Sequence, residues 1–482
     1  MSHINKRTGA ILLVVLGVLL TYILLMRPVV GLANNGDFIR VMDNAGLKYF
    51  DKDNSNMFFD YITTEFETIP VVPHQLGNDY YVTSQTFLVK FAVFVDNLFT
   101  SDDVFDIRFL GFIHMVVFLL SFYFLLKIKT SSQIIKWAMI LLFLFVFCDI
   151  GYLSYFNSFY SESAAYIFLL LTIVLSVNII QKDSLNYGLI VLFVISTIIF
   201  ITAKTQTSVI GFFLLLFPIR LMWIHKTLKD RVILSLVSLT LLLSSAAMFM
   251  STPATIKQVN QYNSIFSGVL KYSSNPEADL ESFNVTPEYA ILKDTTFFLA
   301  NKPMDIHTEE FYNNFNKNIS NSKVVGFYLK NPAKLFEIIN KNSNSLFVVR
   351  PDYLGNYEKS EDTSPREKAT ILSWWSSLKE HFFGKSYLFL YIYIISYSLL
   401  LLYLYFKAVK KEHKLHLEYF FMIGVVAVLQ IPATIAGEGT NEFEKHLFLF
   451  NVLFDVTIFI SLLIVVWKLI TNNRFFGAKK LN

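Results

Sequence analysis

Ten apolar runs, each close to the ~20 residues that cross a bilayer as a helix, recur along the 482 residues of this chain. They fall at about 8–30, 109–126, 134–153, 164–180, 187–203, 208–224, 232–250, 387–406, 417–436 and 447–470. A chain built this way has few options. Backbone N–H and C=O groups in hydrocarbon must bond within their own segment, so each run is expected to be a helix. Composition agrees: 54% of residues are hydrophobic and 16% charged, below the roughly 25% of soluble domains, with a mean hydropathy of +0.48. The expected fold class is an all-α polytopic membrane protein of about ten transmembrane helices. The first run is too long for a signal peptide and lacks a small-residue cleavage site, so it is read as an anchor.

Lys and Arg in short loops set orientation. They cluster at Lys6 and Arg7, at Lys127, Lys129 and Lys136, and at Arg220, Lys226, Lys229 and Arg231. Further groups are Lys407, Lys410, Lys411 and Lys414, then Arg474, Lys479 and Lys480. With ten spans all five groups lie on one side, so both termini are expected in the cytoplasm. The net charge of +4 then reflects topology, and no nucleic-acid partner is expected. The single cysteine, Cys148, excludes a disulfide framework and a cysteine-based metal site.

Long segments fill the opposite, outer side. Residues 1–250 hold helices one to seven, with an outer loop at 31–108. Residues 251–385 form a large outer segment between helices seven and eight, long enough for a small helical domain. Residues 386–482 hold the last three helices and a tail. Within the first loop, 57–65 reads as a short helix, 74–81 as an aromatic polar loop, and 86–99 as an amphipathic helix in the interface plane. In the large segment, 322–329 and 331–340 read as helices, the second with Asn331 capping and Pro332 in its first turn. Trp374 and Trp375 suit a membrane interface.

The polar residues of the outer face carry the chemistry. In Asn34-Asn35-Gly36-Asp37, a turn signal follows the first span and sets Asp37 at the membrane surface, with Arg40 three residues on. The bland reading is Asp37 as the N-cap of a short helix. Glu162 opens helix four, where the helix dipole favours a carboxylate. Lys204 is a lone cation on the outer face, against the positive-inside bias. Charges near membrane depth are functional candidates by default. Arg350 lies in the large outer segment. The last outer loop, 437–446, holds Glu438, Glu442, Glu444 and His446, most of these charges read as solvated. Outside a cell no nucleotide donor is at hand, so an activated group must arrive on a lipid. Transfer from a lipid phosphate needs a carboxylate base for the acceptor hydroxyl and cations for the leaving phosphate.

Leu32-Ala33-Asn34-Asn35-Gly36-Asp37-Phe38, with Phe156-Asn157-Ser158-Phe159-Tyr160-Ser161-Glu162 in the second outer loop, resembles the WsfD-type glycan biosynthesis hexose transferases of bacteria. These look like a branch of the GT-C superfamily of integral membrane glycosyltransferases. The resemblance implies a polyprenyl-phosphate-linked sugar donor, a glycan acceptor and an inverting single displacement. It maps the catalytic base onto Asp37 and an assisting acid onto Glu162. Phosphate-binding roles for Lys204, Arg350 and Arg40 extend it. Asn34, Asn35, Asn157, Tyr160, Gln206 and His446 complete the expected substrate-binding set. No cofactor is assigned. A divalent metal stays open, although a lone Asp without a paired acid leans against one. The competing readings are a flippase or permease for lipid-linked glycans, or a glycan polymerase. Against transport, the spans carry little charge beyond Asp149 and Asp455, and no repeated halves are visible.

Overall fold

Polar caps fix where several apolar segments begin. In the computed structural model, Asn5 accepts from Thr8 N at 2.7 Å, Ser132 from Ile135 N at 3.2 Å, Asn186 from Leu189 N at 3.0 Å and Thr227 from Asp230 N at 3.1 Å. Each satisfies an N–H that the helix itself leaves open. The structure describes residues 4–50, 58–70, 81–100, 102–384 and 387–476, the last five as backbone only. The loop expected at 74–80 and the basic residues Lys479 and Lys480 lie outside them.

The protein is an all-α multi-pass membrane protein. Among the described residues, eight helices are long and apolar enough to cross a bilayer, or nine if one bent pair is a single span. In chain order they begin with α1 (Lys6–Leu25). The first outer loop then holds α2 (Ile39–Ala45), β1 (Leu47–Lys48), β2 (Glu65–Thr68), α3 (Ser84–Phe99) and β3 (Val104–Asp106). The bundle continues with α4 (Arg108–Lys127), α5 (Gln133–Phe147), α6 (Ser161–Ile180), α7 (Tyr187–Ile201), α8 (Thr205–Met222) and α9 (Leu228–Met250). It closes with α10 (Tyr387–Lys407), α11 (Lys411–Glu438) and α12 (Phe448–Phe476). All ten expected runs are helical. The third is broken: α5 turns by 53° into the short helical stretch Ile150–Asn157. The fifth, α7, has 15 residues, about 22 Å of rise, less than a ~30 Å hydrocarbon core.

Asp149 explains the break. Its carboxylate accepts from Gly151 N at 2.7 Å and from Trp375 N and Ser376 N at 2.9 Å, so it caps the next turn and pins the outer segment at once. α6 has no polar face, and a helix apolar all round belongs at the centre. Every residue of α6 but Ser161 is buried.

Helix ends alternate as a serpentine chain requires. At one end Gln181 bonds both backbone groups of Lys129, Tyr187 donates to Asp230 at 2.9 Å, and Arg220 pairs with Glu418 at 2.6 Å. At the other end Lys204 meets Glu162 at 2.8 Å, and Thr205 meets Thr252 at 2.8 Å. The described lysines and arginines of the short loops therefore gather at one end of the bundle, and the motif residues at the other.

The first outer loop departs from expectation. Residues 58–64 are irregular, and Glu65 begins β2 of a small antiparallel sheet, order β1-β2-β3, with Leu47 opposite Thr68 and Phe66 opposite Phe105. Phe66 and Phe105 are buried, so burial of one Phe from each of two paired strands wins over helical propensity. The amphipathic helix is present as α3, begun by a capping box of Thr83 and Thr86. It turns Phe87, Phe91, Phe94 and Leu98 outward while Gln85, Thr86 and Asp96 are buried. This inverted face suits lipid as its solvent.

The large outer segment includes the helices Asn321–Lys330 and Pro332–Lys341. Pro332 takes the first helical position as expected, while Asn331 makes no side-chain cap bond. The buried side chains of this segment join one continuous apolar core with the bundle. Trp375 does not face outward as an interface anchor would. It is buried, and its Nε1 donates to Asp455 at 2.7 Å; only Trp374 is exposed.

Candidate functional site

Asn34 builds the first turn. Its Oδ1 accepts from Gly36 N at 2.7 Å and Phe38 N at 3.2 Å, and Gly36 holds φ +110°. The N-cap role weighed for Asp37 is overturned: α2 begins after Phe38 with no side-chain cap, and the Arg40 N–H bonds the Asp37 backbone carbonyl, not its carboxylate. The Asp37 carboxylate is thereby left for other partners.

The second motif clamps this turn. Phe38 packs on Phe159 and Tyr160 with ring centroids 5.1 and 4.8 Å apart. The Tyr160 hydroxyl donates to Ala33 O at 2.8 Å and accepts from Asn35 N at 2.9 Å. Asn157 donates to the carbonyls of Leu24 and Val30, both at 2.8 Å. It sits so close that a Cβ on Gly31 would stand 2.7 Å from its carbonyl oxygen. The two motifs are thus one physical unit, held by glycine's lack of a side chain.

Together they form one wall of a cavity of about 320 Å³. Asn35, Asp37 and Arg40 line it beside Tyr160 and Glu162; Lys204 and Gln206 come from the start of α8. The end of α11 and the segment after it complete the lining, with Glu438, Glu442, Lys445 and His446.

The charges pair off. Arg40 lies 3.2 Å from Asp37, and Lys445 Nζ donates to the other Asp37 oxygen. Lys445 is only 3% exposed, lies 3.8 Å from Glu442 and sits over the Tyr160 ring at 4.6 Å. Burial by itself would raise the Asp37 carboxyl, but Lys445 and Arg40 outweigh it and hold the group well below the usual carboxylate range. Lys204 pairs with Glu162 at 2.8 Å. Burial alone would lower the Lys204 ammonium; Glu162 and then Glu438 overcome it and hold it above its ordinary value. Glu438 meets His446 at 2.5 Å, and Asn35 Nδ2 donates to both Glu442 oxygens at 2.9 and 3.0 Å. Gln206 Nε2 reaches Gln430, Thr434 and the His446 carbonyl, each at 3.2 Å. Among the described residues, no group of three His, Cys, Asp or Glu is placed to hold a metal ion.

The YfdI N-terminal transmembrane domain family matches residues 1–481. The chain belongs to that family. It is similar to the uncharacterized protein YfdI of Escherichia coli (strain K12), with 23% identity over 405 residues that cover 82% of this chain and 83% of YfdI. No solved structure matches.

Of the residues singled out in the sequence, Asp37, Glu162, Asn35, Arg40, Tyr160, Lys204, Gln206 and His446 meet at the cavity. Asn34, Asn157 and Arg350 are not among its lining residues. Asn34 and Asn157 hold the turn from behind. Arg350 is buried, donating to Asn356 Oδ1 at 2.5 Å and Ala369 O at 2.8 Å. Asn356 in turn donates to Gly31 O at 2.8 Å, so Arg350 braces the first turn through the large outer segment. From the sequence alone Lys445, Glu438 and Glu442 receive no site role, although the 437–446 loop is set on the same face as Asp37. The expectation that the 437–446 charges are solvated fails at Lys445, whose partner Asp37 lies 408 positions away. The sequence signal is the one that marks Lys204: a cation on the face expected, from the basic loops, to lie away from the cytoplasm.

Proposed function

We propose that this chain is a GT-C-type glycosyltransferase of the bacterial cell membrane, as its WsfD-type resemblance implies. In this reading ten spans place both termini in the cytoplasm and the cavity outside. The enzyme moves a hexose from a polyprenyl-phosphate donor to a cell-surface glycan, with inversion. The observation that carries the reading is the convergence of Asp37, Arg40, Lys445, Glu162 and Lys204 on one cavity at the bundle end away from the basic loops.

The acceptor hydroxyl oxygen attacks the anomeric carbon. The bond from that carbon to the phosphate oxygen breaks, its electron pair staying on the phosphate. Asp37 takes the hydroxyl proton, and Arg40, Lys445 and Lys204 are the cations available to the departing lipid phosphate. Glu162 holds Lys204 in place. The exposed phenylalanines of α3 offer a lipid-facing surface beside the first outer loop. A cavity of about 320 Å³ is at the low end for small-molecule sites, roughly 300–1,000 Å³. It suits one sugar on a monophosphate better than the oligosaccharide diphosphate of a polymerase.

The test uses membranes carrying wild type or Asp37→Asn, a radiolabelled polyprenyl-phosphate hexose and isolated surface polysaccharide. Wild type is expected to transfer label, and the variant to lose about 10²–10⁴ in rate while inserting normally. Transfer that survives the substitution would move the base to Glu162. Absence of transfer from any monophosphate donor would turn the reading towards a polymerase or flippase.

A further inference from the structure

Within the cavity, Asp37 carries two cations within 4 Å, whereas Glu162 carries one and Glu438 faces the His446 imidazole. A base so heavily countered is a weak proton acceptor, since its charge is already stabilised. We infer, on the transferase reading, that Lys445 is a shared clamp: it holds Asp37 when no donor is bound, and the donor phosphate takes it over, freeing Asp37 to accept the acceptor's proton.

The geometry suits an exchange. Lys445 Nζ sits between Asp37 and Glu442 and over the face of Tyr160, so a small rotation of a flexible stem changes its partner without exposing the charge. Glu442 is tied by both oxygens to Asn35 and does not follow. Arg40, less buried and on the adjacent turn of α2, is placed to move with it. The coupling has the sign catalysis needs. As the sugar–phosphate bond breaks, negative charge grows on the phosphate and strengthens its hold on Lys445. In the same step Asp37 loses a cation and gains a proton. Interactions that grow in the transition state accelerate the reaction.

Competition for one cation makes a prediction that a merely structural ion pair does not. Farnesyl phosphate binding is measured at equilibrium with the full chain in detergent, for wild type, Asp37→Asn and Lys445→Gln, each checked by thermal melting. Without its competitor, Asp37→Asn is expected to bind about tenfold more tightly than wild type although it cannot transfer, and Lys445→Gln about tenfold more weakly. If buried Lys445 does not tolerate substitution, Asp37→Asn still decides the question. Equal or weaker binding by Asp37→Asn overturns the clamp, and leaves the transferase reading standing if wild type binds and transfers. No binding by either protein overturns both.

Discussion

Lys204 stands out in the sequence because a cation on the outer face needs a reason, and its partner Glu162 completes one. Glu162 is 5% exposed and Lys204 18%, so neither charge is easily hydrated without the other. Removing one partner of such a pair leaves an uncompensated charge, which costs more than removing both. Glu162→Gln and Lys204→Met are each expected to destabilise the protein, and the double variant by less than their sum. The coupling should be about 1 kcal/mol or more, read from unfolding in detergent. Additive effects would show that the two side chains act independently. What the sequence hides at this scale is convergence. Asp37 and Arg40 are legible as neighbours, whereas Lys445 joins them only through the fold.

At the scale of elements, periodicity was readable wherever an element is long. The bundle helices and α3 appear close to their expected bounds. Strands of two to four residues carry no periodic signal, so the pattern offers only loop and short helix where the sheet β1-β2-β3 forms. Trp375 resembles its neighbour Trp374 in the sequence, and only the fold brings Asp455 to it. Glycines show how local geometry sets the site. Gly36 and Gly439 both have positive φ, +110° and +64°. A Cβ on Gly36 would meet nothing within 4 Å, whereas one on Gly439 would strike the Asn263 carbonyl oxygen and stand 2.6 Å from Ser267 Oγ. Gly36→Ala should therefore cost about 1–2 kcal/mol of backbone strain. Gly439→Ala adds overpacking of about 1–3 kcal/mol. Because Gly439 opens the segment bearing Glu442, Lys445 and His446, its substitution should also weaken farnesyl phosphate binding. Melting and binding measurements on both variants check the order. Equal effects would mean that the 437–446 segment is not held by its contact with Asn263.

For the whole molecule, orientation decides whether the chemistry is available. The donor argument holds only if the cavity faces away from the cytoplasm, where no nucleotide sugar competes. The five basic clusters predict that side, and the alternation of helix ends puts the described basic loops opposite the cavity. Cys148 is 4% exposed, so the natural chain gives a thiol reagent little to label. Cysteines placed at Lys226, Lys411 and Glu310, all exposed, turn this silence into a map. With a membrane-impermeant maleimide, right-side-out vesicles should label Glu310→Cys alone. Inside-out vesicles should label Lys226→Cys and Lys411→Cys alone. Labelling of position 310 only in inside-out vesicles would put the cavity in the cytoplasm. A nucleotide-activated donor would then be accessible, and the reason for a polyprenyl carrier would be gone. Labelling of 226 and 411 on opposite sides would mean that an odd number of spans separates α8 from α11, against the pairing of Arg220 with Glu418 at one end of the bundle.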